Sequence, residues 1–233
     1  MENDTPPARE VSPSRWIPDP TPPEGQRAAL HRLAAALRKT TEQLLDMDAP
    51  EEELIAAAEA AERFAARLEG YRAGRSRYGF AETATAGDTR AMFDRSPLIG
   101  LGNPVAPPLT MAAVGDHVEG TAVFTVAYEG PRGHVHGGII AAAFDEVLGM
   151  VQSLTGRPGM TGQLSVRYRR PTPLYREVRF AGHVERLDGR KIYTAGTLHD
   201  GTTLCAEAEG LFISVDFEKL GFGNPDYRPG TEG

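Results

Sequence analysis

The chain has 233 residues, 40% of them hydrophobic and 24% charged, which suits an ordinary globular protein with one sizeable core. Its formal net charge of −7 argues against nucleic acid or an anionic membrane surface as a main partner. The single cysteine, Cys205, cannot close an internal disulfide, no apolar run approaches the ~20 residues of a membrane span, and the N-terminus lacks the apolar core of a secretory signal. A cytoplasmic protein without a membrane span is expected.

Residues 1–23 hold seven prolines and few large apolar side chains, too little to offset the entropy of ordering them. From Glu24 to Asp46 the residues Leu30, Leu33, Leu37, Leu44 and Leu45 recur at helical spacing. Asp48-Ala-Pro-Glu51 then reads as a helix start, with Asp48 as N-cap and Glu51 at the capping-box position. Leu54, Ala58, Ala61, Ala65 and Leu68 carry a second stripe, and the short connection predicts an antiparallel helical hairpin. Ten acidic against seven basic residues between Glu24 and Arg72 disfavour a DNA-reading helix pair and favour packing or oligomerisation.

Residues 75–115 show no clean period, but Phe93, Leu98, Ile99, Val105 and Leu109 give them enough apolar content to wrap a core. From His117 the pattern becomes strand-like: Val118, Ala122, Phe124, Val126 and Tyr128 share one parity. Further strands are expected over 163–170, 178–187 and 204–215. Asp188-Gly189 and Asp200-Gly201 are strong two-residue hairpin turns. The element order is strand, buried helix, then four strands in a meander.

The buried helix belongs to the stretch EGPRGHVHGGIIAAAFDEVLGMV, residues 129–151. Two glycines at a helix start let a ligand approach unpaired N–H groups, and the helix dipole favours negative charge there. Asp145 and Glu146 lie inside the apolar run, where a charge needs a partner or a purpose. The plain alternative is a core helix with both carboxylates at a solvent edge. Gly137 and Asp145 are eight residues apart, about 12 Å along a helix, whereas a reacting carbonyl must lie about 3 Å from both of its catalytic partners. One helix cannot supply both groups to one site. Two antiparallel copies can, so catalysis here requires a dimer.

The run from Glu129 to Gly138, with Asp145 following, resembles the hotdog-fold acyl-CoA thioesterases, in particular the phenylacetate-pathway branch that includes the carboxy-terminal modulator protein. That branch has an HGG motif, an Asp nine residues after the His, and Thr or Ser at the start of the next strand. His136, Gly137, Asp145 and Thr161 fall on this pattern, and Tyr168-Arg-Arg-Pro171 resembles its Pro-terminated strand. The resemblance implies an α+β hotdog fold, an antiparallel sheet wrapped round a long central helix, here with an added N-terminal helical hairpin. The expected organisation is a Pro-rich tail over 1–23, the hairpin over 24–74, a wrapping segment over 75–115, the hotdog domain over 116–217 and a C-terminal tail over 218–233.

The resemblance further implies hydrolysis of acyl-CoA thioesters without a cofactor or metal, in a homodimer or dimer of dimers. Gly137 N–H would hold the oxyanion, Asp145 of the other copy would act as general base or nucleophile, and Thr161 would orient the water or the carboxylate. His136 would be catalytic or structural, His134 structural or pocket-lining, and Glu146, about 100° round the helix from Asp145, a structural or interface carboxylate. Arg167, Arg169, Arg170, Arg190 and Lys191 are candidates for the CoA phosphates. A hotdog hydratase would need a base histidine near the acid, and none occurs between His136 and His183. A non-catalytic acyl-CoA-binding or sensor protein is the remaining alternative.

Overall fold

In the computed structural model the described residues are 21–71, 89–107, 109–157 and 159–215. The C-terminal tail and all but the last residues of the N-terminal tail lie outside them. Helices α1 (Gly25–Asp46), α2 (Glu51–Glu69) and α3 (Thr89–Arg95) precede strands β1 (Thr110–Val114) and β2 (His117–Val123). A 3-10 turn (Val126–Tyr128) leads to helix α4 (Gly137–Ser153). Strands β3 (Gly159–Tyr168), β4 (Glu177–Asp188), β5 (Lys191–Asp200) and β6 (Thr203–Ser214) follow. The six strands form one antiparallel sheet in the order β1-β2-β4-β5-β6-β3, and α4 packs on β2 to β6 through one continuous core. This is the hotdog arrangement.

The Asp-Gly turns explain the central hairpins. Asp188 pairs with Lys191 and Asp200 with Thr203, and Gly189 and Gly201 both take φ of 56°, the left-handed conformation that glycine adopts freely. The meander of four strands is corrected to three. Strand β3 pairs with β6 at the far edge of the sheet and not with β4. No two-residue turn joins β3 to β4. The connection over residues 169–176 contains Pro171 and Pro173, which cannot donate to a ladder, and it runs past the start of α4. There Val135 N donates to Thr172 O (2.9 Å) and Leu174 N to Gly133 O (3.1 Å). Strand β2 also stops at Val123, before Phe124 and Tyr128, which turn inward as a buried edge-to-face pair 5.9 Å apart.

The wrapping segment is more regular than its sequence suggests, since its described part includes α3 and edge strand β1. Ile99, Ala106 and Leu109 enter the core. Helix α1 ties the segment down. Arg27 Nε donates to Asp94 Oδ2 (2.8 Å), His31 Nε2 lies 2.7 Å from Asp94 Oδ1, and Arg38 donates to the carbonyls of Asn103 (2.7 Å) and Leu101 (3.1 Å). Burial alone would raise the Asp94 carboxyl, but Arg27 and His31 outweigh it and hold the group below its ordinary value. The expected hairpin is a second correction. Helix α2 buries no residue, and Leu54, Ile55, Phe64 and Leu68 remain exposed, so α2 does not pack as an antiparallel neighbour of α1. Its start also differs: Pro50 is the N-cap residue and no side chain caps the helix. Asp48 lies two residues before that position, too early to serve.

Three glycines let α4 sit close to the sheet. Gly182 on β4 pairs with Gly196 on β5, and Gly210 follows on β6. A Cβ would come within 2.8 Å of Val151 Cγ2 at Gly182, 2.9 Å of Ala181 O at Gly196 and 2.7 Å of Thr194 Oγ1 at Gly210. The fully buried Leu148 lies over all three. At Gly196 the obstruction is backbone and cannot rotate away. Gly196→Ala is therefore expected to destabilise the fold by about 1–3 kcal/mol, read as a lower urea midpoint with an unchanged slope. An unchanged midpoint would contradict this seat for α4.

Candidate active site

Helix α4 begins where the chain leaves a tight turn. Glu129 Oε1 accepts from Gly133 N, and His136 N donates to Tyr128 O (2.9 Å). His136 then takes the N-cap position, and its Nδ1 accepts from Gly138 N at 3.0 Å. A histidine thus does what Ser, Asp or Asn usually does at a helix start. Because Nδ1 accepts, the proton of the neutral ring sits on Nε2. Gly137 is the first helical residue, and its N–H has no acceptor among the described residues. It remains an open donor at the positive end of the helix dipole.

Asp145 lies two turns further on, half-buried, and its Oδ1 accepts from Thr161 Oγ1 at 2.9 Å. A bulge makes that contact possible. Thr161 pairs with Phe212 and Gln163 with Leu211, leaving Gly162 as the extra residue of β3. Phe212 and Gly210 both face α4, so Thr161 and Leu164, opposite them, face α4 too. In an unbroken strand two residues three apart would point to opposite faces. The structure therefore brings Asp145 and Thr161 together, brings His136 and Gly137 together, and separates the two pairs by eight residues of helix, about 12 Å.

Glu146 takes a different direction from Asp145. Its Oε1 accepts from Ser96 Oγ at 3.3 Å, and Ser96, itself buried in the wrapping segment, also accepts from Leu98 N at 3.1 Å. Burial, and then the neighbouring Asp145 charge, push the Glu146 carboxyl up to about 7, against a lowering by Ser96. Neither Ser96 nor Tyr168, whose hydroxyl donates to Gly137 O at 2.7 Å, was singled out as a site residue from the sequence. Both reach α4 from far along the sequence, Ser96 from the wrapping segment and Tyr168 from the end of β3. Tyr168 had one available signal, its place in the Tyr-Arg-Arg-Pro run. Arg169 is occupied by Glu207 at 2.6 Å and Arg190 by the carbonyl of Ser214 at 3.1 Å. Arg167, Arg170 and Lys191 carry no side-chain partner among the described residues. Those residues also hold no cluster of three or more metal-ligating side chains and no helix long and apolar enough to cross a membrane.

A sheet curled round one helix, with an open N–H at the helix start and a Thr-supported carboxylate at its middle, defines a hotdog protein with a divided polar site. Residues 132–206 match the family described as the thioesterase superfamily. A crystal structure of a thioesterase superfamily protein superposes with a TM-score of 0.75 at 36% identity, covering 87% of this chain and 98% of that one. The chain belongs to the thioesterase superfamily. The residues from β1 to β6 make up less than half of it, so the likeness to that structure extends into the N-terminal additions. The acyl-coenzyme A thioesterase THEM4 of Bos taurus is 39% identical over 93 residues, 39% of this chain and 38% of that protein. THEM4 of Xenopus laevis is 38% identical over 89 residues, 37% of this chain and 40% of that protein. The match therefore spans well under half the length of these curated relatives.

The raised Glu146 carboxyl has a consequence for stability. Between its ordinary 4.5 and about 7 the native state holds a proton that the unfolded chain has released, so stability falls as pH rises through that window. The decline is on the order of 3 kcal/mol. Glu146→Gln keeps the acceptor for Ser96 and should remove most of the decline, so that the variant matches the parent near pH 4.5 and exceeds it at pH 8. Urea unfolding at the two pH values measures it, and parallel pH profiles for parent and variant would contradict the assignment.

Proposed function

We propose that the chain hydrolyses acyl-CoA thioesters to the free acid and CoA at a site shared by two copies. The observation that carries this reading is the Thr161–Asp145 hydrogen bond, 2.9 Å long, on the helix whose first N–H is open. The names of the relatives supply the substrate class. Gly137 N–H of one copy polarises the thioester carbonyl. Asp145 of the other either takes a proton from water as it attacks, or attacks the carbonyl itself. In the first route the oxyanion collapses, the C–S bond breaks, and the proton held by Asp145 passes to the departing thiolate. In the second the Asp145 carboxylate displaces the CoA thiolate as the C–S bond breaks, and water hydrolyses the resulting mixed anhydride to the free acid and the regenerated Asp145. Thr161 holds the carboxylate oxygen it bonds and leaves the other free to work. His136 caps the helix with Nδ1, and its Nε2–H remains available to the substrate.

Several features support the shared site. The open N–H and Asp145 are too far apart along α4 to meet one carbonyl within a single chain. Gly138, Ala142, Asp145 and Gly149 follow one another at helical spacing, small enough around Asp145 for a second antiparallel α4 to approach closely. Strand β3 is a sheet edge with Met160 and Tyr168 half exposed, which suits continuation of the sheet into a second copy. A homodimer, or a dimer of dimers, is the proposed assembly, with the domain at 116–217 as its catalytic unit and the helices at 24–74 as an addition outside the site. Arg167 and Arg170, at the end of β3 beside Tyr168 and without side-chain partners among the described residues, are the favoured contacts for the CoA phosphates. A cytoplasmic place of action goes with that substrate.

Asp145→Asn keeps the size of the side chain and a hydrogen-bonding group for Thr161. It should preserve fold and assembly while lowering thioester hydrolysis about 10²–10⁴-fold, measured as thiol release across short, medium, long and aromatic acyl-CoAs. Turnover near the parent value on every substrate would remove Asp145 from the mechanism.

A further inference from the structure

The peptide between Gly137 and Gly138 is held at both ends by side chains. Its carbonyl oxygen accepts from Tyr168 Oη at 2.7 Å, and its N–H donates to His136 Nδ1 at 3.0 Å. One clamp comes from the helix's own cap and the other from edge strand β3, thirty-one residues along the chain. The contact with β3 is close. A Cβ added at Gly137 would stand 3.3 Å from both Cζ and Oη of Tyr168, so the ring lies directly against the first residue of the helix. Glycine is the residue with the widest choice of backbone angles, and two of them in sequence would leave the start of α4 loose. Fixing this peptide fixes ψ of Gly137 and, with the cap set by His136, limits the direction in which the Gly137 N–H can point.

We propose that Tyr168 is a positioning residue for the oxyanion donor, and that with His136 it locks the Gly137–Gly138 peptide so that the Gly137 N–H is aimed at the developing oxyanion. The inference rests on the reading of Gly137 as that donor. Preorganised donors stabilise an oxyanion because they need no reorientation as charge develops. A donor left free to swing must be ordered at the transition state instead, which lowers kcat and leaves ground-state binding largely intact. Tyr168 is half exposed and contributes little to the core, so removal of its hydroxyl tests position without threatening the fold.

The test is Tyr168→Phe, with Asp145→Asn beside it. In the Phe variant kcat should fall about ten- to a hundredfold with KM within about twofold, while the thermal midpoint stays near that of the parent. The backbone amide resonances of Gly137 and Gly138 should shift and their hydrogen exchange quicken. An unchanged kcat in Tyr168→Phe, with Asp145→Asn inactive, overturns the inference and leaves the proposed reaction standing. A rise in KM with kcat preserved also overturns it, because the ring would then be touching substrate. If Asp145→Asn is as active as the parent, the proposed reaction fails, and the amide resonances still decide whether the clamp exists. Unchanged Gly137 and Gly138 resonances overturn it whatever the activity.

Discussion

An α-helix advances about 1.5 Å per residue, and that fixed rise governs how α4 can be used. The open N–H at Gly137 and the carboxylate at Asp145 both belong to this helix, and no rotamer of Asp145 spans the two turns between them. The same helix is pinned along its length, so it cannot bend to bring them closer. Leu148 rests on three glycines of the sheet, and Phe144 meets Phe180 edge-to-face with ring centres 5.3 Å apart. Close seating makes the helix a rigid ruler. A chemistry that needs both of its marks must find one of them on another copy.

Around that ruler the fold supplies one local device at each mark. At the helix start a histidine cap and a tyrosine from β3 grip the same peptide. At the middle a bulge at Gly162 turns Thr161 onto the helix face, where it meets Asp145. Both devices draw on β3, the edge strand, through Tyr168 and Thr161, so one strand touches both halves of the proposed site. Glu146 is turned away from this strand and toward Ser96, in the segment that α1 holds in place through Asp94. Two adjacent carboxylates are thereby given different surroundings: one supported by a hydroxyl on the proposed catalytic side, the other largely buried and pushed up to about 7.

What could be read from the sequence was what depends on short range. His136, Gly137 and Asp145 sit on one helix at fixed spacing, and Asp188-Gly189 and Asp200-Gly201 carry their turn chemistry in two residues each. What could not be read was placement at long range. The composition of β3 says strand but not which neighbour it takes, and the eight-residue, proline-containing connection to β4 was the warning that a simple hairpin would not form. The stripe on α2 correctly marks a helix, yet a stripe does not name what it packs against, and among the described residues nothing covers it. Ser96 and Tyr168 reach α4 from fifty and thirty-one residues away, beyond any local pattern.

The most direct test of the divided site is complementation between two inactive copies. Gly137→Pro removes the donor N–H at the first helical position, where the backbone of proline is tolerated, and His136, with ψ of 132°, already has the extended backbone that a following proline requires. The added ring presses on Tyr168, so dimer formation by this variant is measured first. Its partner in the test is Asp145→Asn. Each variant alone should be inactive. When the two are unfolded together and refolded, random pairing makes half of the dimers mixed, and each mixed dimer carries one intact site and one doubly defective site. A shared site predicts recovery of about a quarter of the parent activity. Mixed dimers that form but show no activity above either parent would contradict it, because Gly137 and Asp145 would then have to serve within the same chain.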